Sequence, residues 1–391
     1  MQNTCEHFGR CGGCTYLDIP YSQELAVKEE ALKETLDGYS HFLEKLHPAP
    51  SAVAYRNKME LAFGDEGKGG NLALGMRKQR SFYEVATPEN CVLICDDFKR
   101  IILYVLEYFR KSGEPVFHRK RHIGSLRHLV LRRGEFTGEV LLVLSTTSTL
   151  AMPLEPLAEG LRSLELNGEI VGILHSVNDG VADAVKNENT RLLWGRDYYN
   201  EVLFKNYDSQ NALKFKVSAF SFFQTNSAGA EVLYSIVRNY ATGSGTLAYD
   251  LYCGTGTIAQ VLSPYFEKVL GIELIEDAIK VAKDNAKLNG ITNCEFFAGD
   301  VAHVIQSHQA IPDIVIVDPP RDGLHPKAIP HIIQLNAPTM IYVACKPKSL
   351  VRDLDILTSA GYKVEKIEGV DMFPRTPHVE CVALLTRVET L

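Results

Sequence analysis

The stretch IVIVDPPRDG (residues 314–323), followed by a spacer and then by MIYVACK (residues 340–346), sets the architecture of this chain. Each apolar run has the length of a β-strand and ends in a reactive group, Asp318 or Cys345. The spacer, residues 325–336, is long enough for one crossover helix. Because a strand–helix–strand unit pairs its strands in parallel, both groups should leave the sheet at its carboxyl edge, where open α/β sheets hold ligands. We therefore interpret Cys345 as a nucleophile at that edge.

Strand and helix patterns alternate from about residue 216 onward and predict a Rossmann-like, doubly wound α/β sheet. The connection between the final two strands differs from the earlier ones, because it consists only of GVDMFPRTPH (residues 369–378). This connection is short and contains two prolines, which favours an antiparallel last strand. Glu380 then begins that strand at the carboxyl edge of the others. The topology therefore predicts that Asp318, Cys345 and Glu380 converge on one crevice.

The composition is typical of a globular protein with two or three domains. The chain has 391 residues, of which 46% are hydrophobic and 23% charged, and it exceeds the size of one ordinary core. It has no apolar run of membrane-spanning length and no basic-then-apolar leader, so we expect a cytoplasmic protein with no membrane partner. The net charge of -7 means that any nucleic-acid binding must come from a local basic face.

Three of the nine cysteines are grouped near the N-terminus. Cys5, Cys11 and Cys14 form the pattern C-x5-CGGC, and thiolates at such spacing suit an iron–sulfur cluster or a zinc ion. A cubane cluster needs a fourth cysteine, for which Cys91 and Cys95 are the candidates. Zinc is the main alternative to the cluster.

We divide the chain into a cluster-binding N-terminal segment (1–40), a central α+β domain (41–215) and a C-terminal α/β domain (216–391). The first segment should continue into a helix over residues 22–36 that is capped by Ser22. The central domain contains short β runs, a hairpin connection at residues 133–138 and two basic stretches that are candidates for phosphate contacts, with a merely solvated face as the alternative. These stretches are Arg119, Lys120, Arg121, Arg127, Arg132 and Arg133, and Arg56, Lys58, Arg77, Lys78 and Arg80.

The loop DLYCGTGTIA (residues 250–259) places two glycines in the first strand-to-helix turn, a pattern that also fits dinucleotide-binding sheets. Asp250 before this loop favours S-adenosylmethionine, whose ammonium and sulfonium groups are cationic, over a diphosphate. Glu273 ends the second strand and would bind ribose hydroxyls, and Asp300 ends the third and would accept from an adenine amino group. A nicotinamide cofactor is the alternative.

Together these motifs resemble the S-adenosylmethionine-dependent RNA (uracil-5-)-methyltransferases, in particular the iron–sulfur-containing 23S rRNA enzymes. The matching pieces occur in the family's order along nearly the whole chain: C-x5-CGGC (5–14), AYRNK (54–58), NCVL (90–93), SFFQTN (221–226), DLYCGTG (250–256), DPPRDG (318–323), YVACKP (342–347) and HVE (378–380). The resemblance implies a [4Fe-4S] cluster on Cys5, Cys11, Cys14 and Cys91. It also implies a cofactor crevice lined by Gln224, Tyr252, Gly254, Thr257, Glu273, Asp300 and Asp318, with Cys345 as nucleophile and Glu380 as base.

The implied reaction is methylation of carbon 5 of a uridine in structured RNA, with 23S rRNA favoured over tRNA and no obligate protein partner. The resemblance thereby makes residues 41–215 the RNA-binding domain and residues 216–391 the methyltransferase domain. Many members carry an N-terminal β-barrel that binds RNA, whereas this chain starts at the cysteines, so we expect the central domain to hold the RNA. Ala344 and Lys346 flank the nucleophile where Ser and Asn are frequent. An iron–sulfur nicotinamide oxidoreductase and a non-catalytic RNA-binding protein are the alternatives from other classes, and the set Asp318, Cys345 and Glu380 argues against the second.

Overall fold

The computed structural model describes residues 5–81, 83–118, 120–181, 189–205, 212–241, 243, 245–308 and 310–388. Arg119 of the first basic stretch lies outside them. The helices in this part of the chain are α1 Tyr21–Leu36, α2 Asp96–Ser112, α3 Glu155–Arg162, α4 Ser227–Tyr240, α5 Thr257–Leu262, α6 Glu276–Leu288, α7 Val301–Ser307, α8 Ile329–Gln334 and α9 Pro347–Ser359, with short 3-10 helices at Asp37–Phe42 and Ser263–Tyr265. The first nine strands are β1 Leu43–His47, β2 Lys58–Asp65, β3 Leu72–Arg77, β4 Val85–Ala86, β5 Leu126–Arg133, β6 Glu139–Thr146, β7 Glu169–Val177, β8 Thr190–Gly195 and β9 Tyr198–Leu203. The others are β10 Leu213–Ser218, β11 Gly245–Leu251, β12 Phe266–Glu273, β13 Cys294–Ala298, β14 Ile314–Val317, β15 Thr339–Ala344, β16 Tyr362–Val370 and β17 Glu380–Arg387.

A large mixed sheet forms the C-terminal part of the described chain, with the strand order β1-β16-β17-β15-β14-β11-β12-β13. The apolar runs of β14 and β15 are fully buried and pair in parallel, with α8 as the crossover between them. β17 lies between β15 and β16 and runs antiparallel to both. The prediction of an α/β sheet with an antiparallel last strand is therefore confirmed. The connection from β16 is too short to carry the chain back across the sheet, so β17 returns in the opposite direction.

The N-terminal segment extends this sheet by one strand that the sequence patterns did not indicate. β1 pairs in parallel with β16, so that Leu46 lies opposite Gly369. α1 confirms the predicted helix, but Pro20 is its N-cap residue and no side chain caps it. The prediction that Ser22 is the cap is therefore wrong. The three-segment division of the chain stays a prediction.

The central part of the described chain forms a second sheet with the order β4-β3-β2-β5-β6-β7-β8. The predicted hairpin at residues 133–138 is confirmed, because β5 and β6 pair antiparallel on either side of it. α2 and α3 cover this sheet with apolar side chains that include Phe98 and Leu157. No helix among the described residues is long and apolar enough to cross a bilayer.

Two arginines of the first basic stretch do not face solvent, and the prediction that they contact phosphate is wrong for them. Arg127 and Arg132 are buried. The Arg127 guanidinium donates to the carbonyls of Asn178 and Gly180, and that of Arg132 has carbonyl partners of its own, described with the cleft below. Buried cations need such partners, because an uncompensated buried charge is costly. The exposed members of the stretch are Lys120 and Arg121.

A buried ion network joins α1 to residues 371–379, which we call the pre-β17 loop. The Lys28 ammonium lies 2.8 Å from both the Glu24 and Asp371 carboxylates and also donates to the Phe373 carbonyl. Glu24 in turn accepts from the backbone N–H and the guanidinium of Arg375. Lys28, Glu24 and Asp371 are all excluded from solvent. The network therefore fixes the backbone that leads directly into Glu380.

Replacing Lys28 by Met should lower the free energy of unfolding by about 3–5 kcal/mol, because two carboxylates stay buried without their cation. Chemical unfolding followed by circular dichroism measures the loss. Lys33→Met on the same helix is the matched control, since Lys33 forms only an exposed pair with Glu29 and its replacement should leave the free energy of unfolding nearly unchanged. Equal losses for the two variants would contradict an anchoring role for the network.

Candidate active site

The carboxyl edge of the large sheet opens into a cleft of about 1790 Å³, called the cleft below. Eight of the predicted site residues line it: Gln224, Tyr252, Gly254, Glu273, Asp300, Asp318, Cys345 and Glu380. Thr257, the first residue of α5, is buried and is not among the residues that line the cleft. The structure thus brings together groups that lie up to 156 residues apart in the sequence.

The register of β15 and β17 sets Cys345 beside Glu380. Ala344 lies opposite Cys381 in this antiparallel pair, so the next step of the ladder places Cys345 opposite Glu380. Val370 of β16 flanks Glu380 on the other side. Both side chains reach the same cleft, as Asp318 does from the end of β14.

Burial and mutual repulsion make the carboxyl groups of this site weak acids. Burial raises the pKa of Asp318 to about 7. Burial also raises the pKa of Glu380 to about 8, and the charge of Asp318 adds to that rise, whereas the Arg321 guanidinium opposes it. Carboxyl groups that share one low-dielectric site resist simultaneous ionisation. A carboxylate with a pKa near neutrality is suited to accept a proton during turnover.

The Cys345 thiol shares this environment. Burial, followed by the charges of Glu380 and Asp318, raises its pKa, and Arg321 acts in the opposite direction. The sequence analysis missed Arg321, although the DPPRDG motif contains it. The signal was available, since this cation stands three residues after Asp318 at the same sheet edge.

The loop after β11 has a backbone that requires glycine at one position. Gly256 has φ +74°, and a Cβ atom there would come within 2.6 Å of the Phe296 ring. Glu273 accepts hydrogen bonds from the N–H groups of Gly254 and Ile275 and so holds this loop against the end of β12. Asp250 is fully buried and is not among the residues that line the cleft, and one of its carboxylate oxygens accepts from the N–H of Ala259. Its preference for a cationic ligand stays a prediction.

Other acids line the cleft on the side of this loop. The carboxylates of Glu273, Asp277 and Asp300 all lie there, with Lys280 as the neighbouring cation. Asp300 also caps α7 through the N–H of Ala302. An excess of negative charge favours a cationic ligand over a diphosphate, so these residues fit S-adenosylmethionine.

The SFFQTN segment forms one wall of the cleft and is held by the central part of the chain. The Asn57 side-chain amide donates to the Gln224 carbonyl and to the Ser227 hydroxyl. The Arg132 guanidinium donates to the carbonyls of Ser218 and Ser221, each at 2.6 Å. Phe222 stands at 69% exposure in this wall, so an aromatic face is available to a nucleobase.

The four cysteines expected to bind a cluster surround one small apolar cavity, the cysteine cavity, of about 40 Å³. Burial raises the pKa of Cys14 to about 12, and the neighbouring thiols of Cys91, Cys11 and Cys5 add to that rise. Cys95 does not line the cavity. No group of three or more His, Cys, Asp or Glu side chains in the described part of the chain has the arrangement of a metal site. The cavity therefore holds four thiols of the type that binds iron or zinc, but these described side chains do not have the arrangement of a complete metal site.

Comparisons with known proteins agree with this geometry. The family model described as tRNA (Uracil-5-)-methyltransferase matches residues 178–388. A protein from Clostridium tetani described as an uncharacterized RNA methyltransferase is 46% identical, over 100% of this chain and 85% of its own length. One from Clostridium acetobutylicum with the same description is 48% identical, over 99% and 84%.

This chain belongs to the tRNA (uracil-5-)-methyltransferase family. It is an RNA methyltransferase, and the family resemblance drawn from the motifs is confirmed. The crystal structure of the Pyrococcus abyssi tRNA (uracil-54, C5)-methyltransferase in complex with S-adenosyl-L-homocysteine matches it with a TM-score of 0.77 and 28% identity. That match covers 96% of this methyltransferase and 86% of the archaeal chain, so it includes the central part as well as the large sheet.

The raised pKa of Glu380 predicts a pH-dependent stability. Folding raises this pKa from 4.5 to about 8, so the folded state binds the proton more tightly than the unfolded state. The stabilisation is complete below the ordinary pKa and is lost as the pH rises through about 8. Glu380→Gln should therefore make the decline of stability between about pH 5 and about pH 8 shallower, by at most about 1.4 kcal/mol per pH unit.

Thermal or chemical unfolding at a series of pH values measures this difference. Glu34→Gln is the control, because Glu34 is exposed on α1 and should leave the profile of the wild type unchanged. A Glu380→Gln profile parallel to that of the wild type would mean that this carboxyl group is not protonated by folding.

Proposed function

We propose that this enzyme methylates carbon 5 of a uridine in structured RNA, with S-adenosylmethionine as methyl donor, Cys345 as nucleophile and Glu380 as base. The observation that carries the proposal is the strand register that sets Cys345 beside Glu380 at the edge of one cleft. The complex of the archaeal neighbour with S-adenosyl-L-homocysteine and the acids along the cleft support the choice of donor. When bound, S-adenosylmethionine supplies an electrophilic methyl group.

The chemistry requires both groups, because carbon 5 of uracil is a poor nucleophile. The Cys345 thiolate adds to carbon 6, and the electrons of the 5,6 double bond move into an enolate. Carbon 5 then forms its bond to the methyl carbon as the methyl–sulfur bond breaks. Glu380 removes the proton from carbon 5, the double bond forms again and the bond between carbon 6 and Cys345 breaks. One cysteine and one carboxylate thus serve opposite ends of the same double bond.

Charge controls the first of these steps. The thiolate is the nucleophile, and two acids beside Cys345 oppose its formation. Arg321 is the nearby cation that favours it. Protonation of Asp318 and Glu380 reduces that opposition at neutral pH, since both have a pKa near or above 7. Glu380 then needs to lose its proton before it can act as base.

Two RNA classes are candidate substrates. The cysteine motif resembles that of the 23S rRNA enzymes, which favours ribosomal RNA. The archaeal neighbour acts on uridine 54 of tRNA, which favours transfer RNA. Mass mapping of 5-methyluridine in both RNA classes, from cells with and without the gene, separates them, because only the true substrate loses the modification.

Variants of the two reacting residues should stop the reaction at different stages. Cys345→Ala should lower methyl transfer at least about 1000-fold, because removing a nucleophile leaves little catalysis by the remaining groups, while donor binding is retained. Glu380→Gln should accumulate protein linked to RNA, because the adduct forms but cannot eliminate. Tritium transfer to RNA from a strain lacking the gene measures the first effect, and a denaturant-resistant gel shift shows the second.

Cys294→Ala is the matched control, since Cys294 lies on β13 outside the lining of the cleft and should keep its activity. Normal methylation by Cys345→Ala would refute the nucleophile assignment. Hydride exchange with a nicotinamide nucleotide, without methyl transfer by the wild type, would favour the oxidoreductase alternative.

We further propose that Cys5, Cys11, Cys14 and Cys91 bind a [4Fe-4S] cluster. Their shared cavity supports the choice of Cys91 over Cys95, and cysteine thiolates are the ligands that such clusters prefer. The His7 imidazole contacts the Thr87 carbonyl and the Gln79 N–H donates to the Arg10 carbonyl, so the cysteine segment already lies against the central sheet. The role of the cluster is then structural, because methyl transfer moves no electrons.

Anaerobically purified protein should be brown and absorb near about 400 nm. Cys91→Ser should lose this absorbance because it removes one ligand, and Cys95→Ser should keep it as the matched control. Metal analysis of the same samples gives the iron content. Colourless wild-type protein with stoichiometric zinc would replace the cluster by a zinc site.

A further inference from the structure

A second opening, separate from the cleft, also reaches Cys345. It has a volume of about 500 Å³. Its walls come from the loop after β14, the start of α9, the pre-β17 loop with Val379, and α1. Cys345, Arg321 and His378 line both this opening and the cleft. The two spaces therefore meet at the nucleophile.

Cations dominate the mouth of this opening, which we call the basic groove. Arg321, Lys346 and Lys348 line it and are exposed. Among the described residues, the side chains of Lys346 and Lys348 have no ion-pair or hydrogen-bond partner, and the Ser349 hydroxyl donates only to the backbone carbonyls of Arg321 and Lys346. The Arg321 charge acts on Cys345 and Glu380. The acid at the mouth is Asp322. The groove therefore carries a net positive charge that the fold itself does not neutralise.

Lys28 also lines the basic groove, but its charge is buried and paired, unlike the charges of the exposed lysines. It lies in the wall, but Glu24 and Asp371 neutralise it. The fold thus pairs the cation that it buries and leaves the exposed side chains of Lys346 and Lys348 without a partner among the described residues. Exposed cations without partners favour an anionic ligand, and a phosphodiester is the anion that an RNA substrate brings to this place.

The position of the groove limits which phosphates reach it. A uridine whose carbon 6 lies at Cys345 has its base inside the cleft, and extruding a base turns the nucleotide out of its stack while the backbone stays outside. The groove shares that cysteine with the cleft, whereas Lys346 and Lys348 line only the groove. The backbone next to the target nucleotide is therefore the part of the substrate that lies within reach of Arg321, Lys346 and Lys348.

We propose that the basic groove binds the RNA backbone beside the target uridine, with Lys346 and Lys348 as phosphate contacts. This proposal rests on the proposed function and names how the enzyme holds its substrate at the reacting base. Phosphate contacts position a nucleic acid without reading its sequence. The lysine beside the nucleophile, where Asn is frequent in the family, then acts on the RNA rather than on the thiol. That agrees with the thiol environment, in which Arg321 is the cation that acts on Cys345.

The test measures binding of a fluorescein-labelled oligouridylate at several salt concentrations. Each phosphate contact to a single strand contributes about 0.7 to the slope of log affinity against log salt. Lys346→Ala with Lys348→Ala should therefore reduce the slope by about 1.4 and weaken binding at low salt. Lys287→Ala is the matched control, because Lys287 is an exposed lysine on α6 that lines neither opening, and its slope should equal that of the wild type.

A second probe asks whether the lost contact is to phosphate. The same oligouridylate with neutral methylphosphonate linkages should bind the wild type and the double variant with closer affinities than the charged oligouridylate does. Binding of S-adenosyl-L-homocysteine serves as a readout of folding and should be equal in all of these proteins.

The results distinguish failure of this proposal from failure of the proposed function. If the wild type methylates RNA from a strain lacking the gene, and the double variant keeps the wild-type salt slope, the groove does not bind the backbone. If the wild type transfers no methyl group to any RNA, the proposed function itself fails. A double variant that loses S-adenosyl-L-homocysteine binding as well would overturn the proposal in favour of a structural role for these lysines.

Discussion

The antiparallel insertion of β17 between β15 and β16 is the constraint on which the site depends. Cys345 follows β15, and Glu380 begins β17. Only opposite strand directions bring the end of one strand beside the beginning of its neighbour. With a parallel last strand, Glu380 would lie at the amino edge of the sheet, a full strand length from the cysteine. A single reversal of direction therefore brings a thiol and a carboxyl group to one edge.

The electrostatics of the site follow from that placement. Strand ends at a buried sheet edge are poorly solvated, so Asp318 and Glu380 both hold protons more tightly than free carboxyl groups do. The thiol is subject to the same desolvation. The Arg321 guanidinium opposes the rise in the pKa of Cys345 and Glu380, and it comes from the same loop as Asp318. Three acidic groups and one cation thus form a coupled set in which the ionisation of each changes that of the others.

The sequence was sufficient where local pattern and topology agree. The fully apolar runs of β14 and β15 predicted buried parallel strands, and the short, proline-containing connection predicted the reversal before β17.

The sequence was insufficient where a charged residue can be either exposed or buried. Arg127 and Arg132 were interpreted as exposed charges, yet both donate to carbonyls inside the protein. Tertiary packing decides which members of a charged run are buried. Asp250 shows the same limit, since the structure buries it and it does not line the cleft. Pairing of β1 with β16 spans more than 300 residues, and no short-range pattern indicates such a contact.

The attachment of the N-terminal segment has a consequence for biosynthesis. Glu24 and Lys28 bond to groups around residue 371, and β1 needs β16 as its neighbour. A growing polypeptide exposes α1 and β1 early, but their partners lie more than 300 residues later in the chain and leave the ribosome long afterwards. Contacts of such long sequence separation form late and slowly. α1 and β1 therefore wait for the C-terminal strands, and the same folding event that buries them also brings Cys345 and Glu380 together at one edge of the sheet.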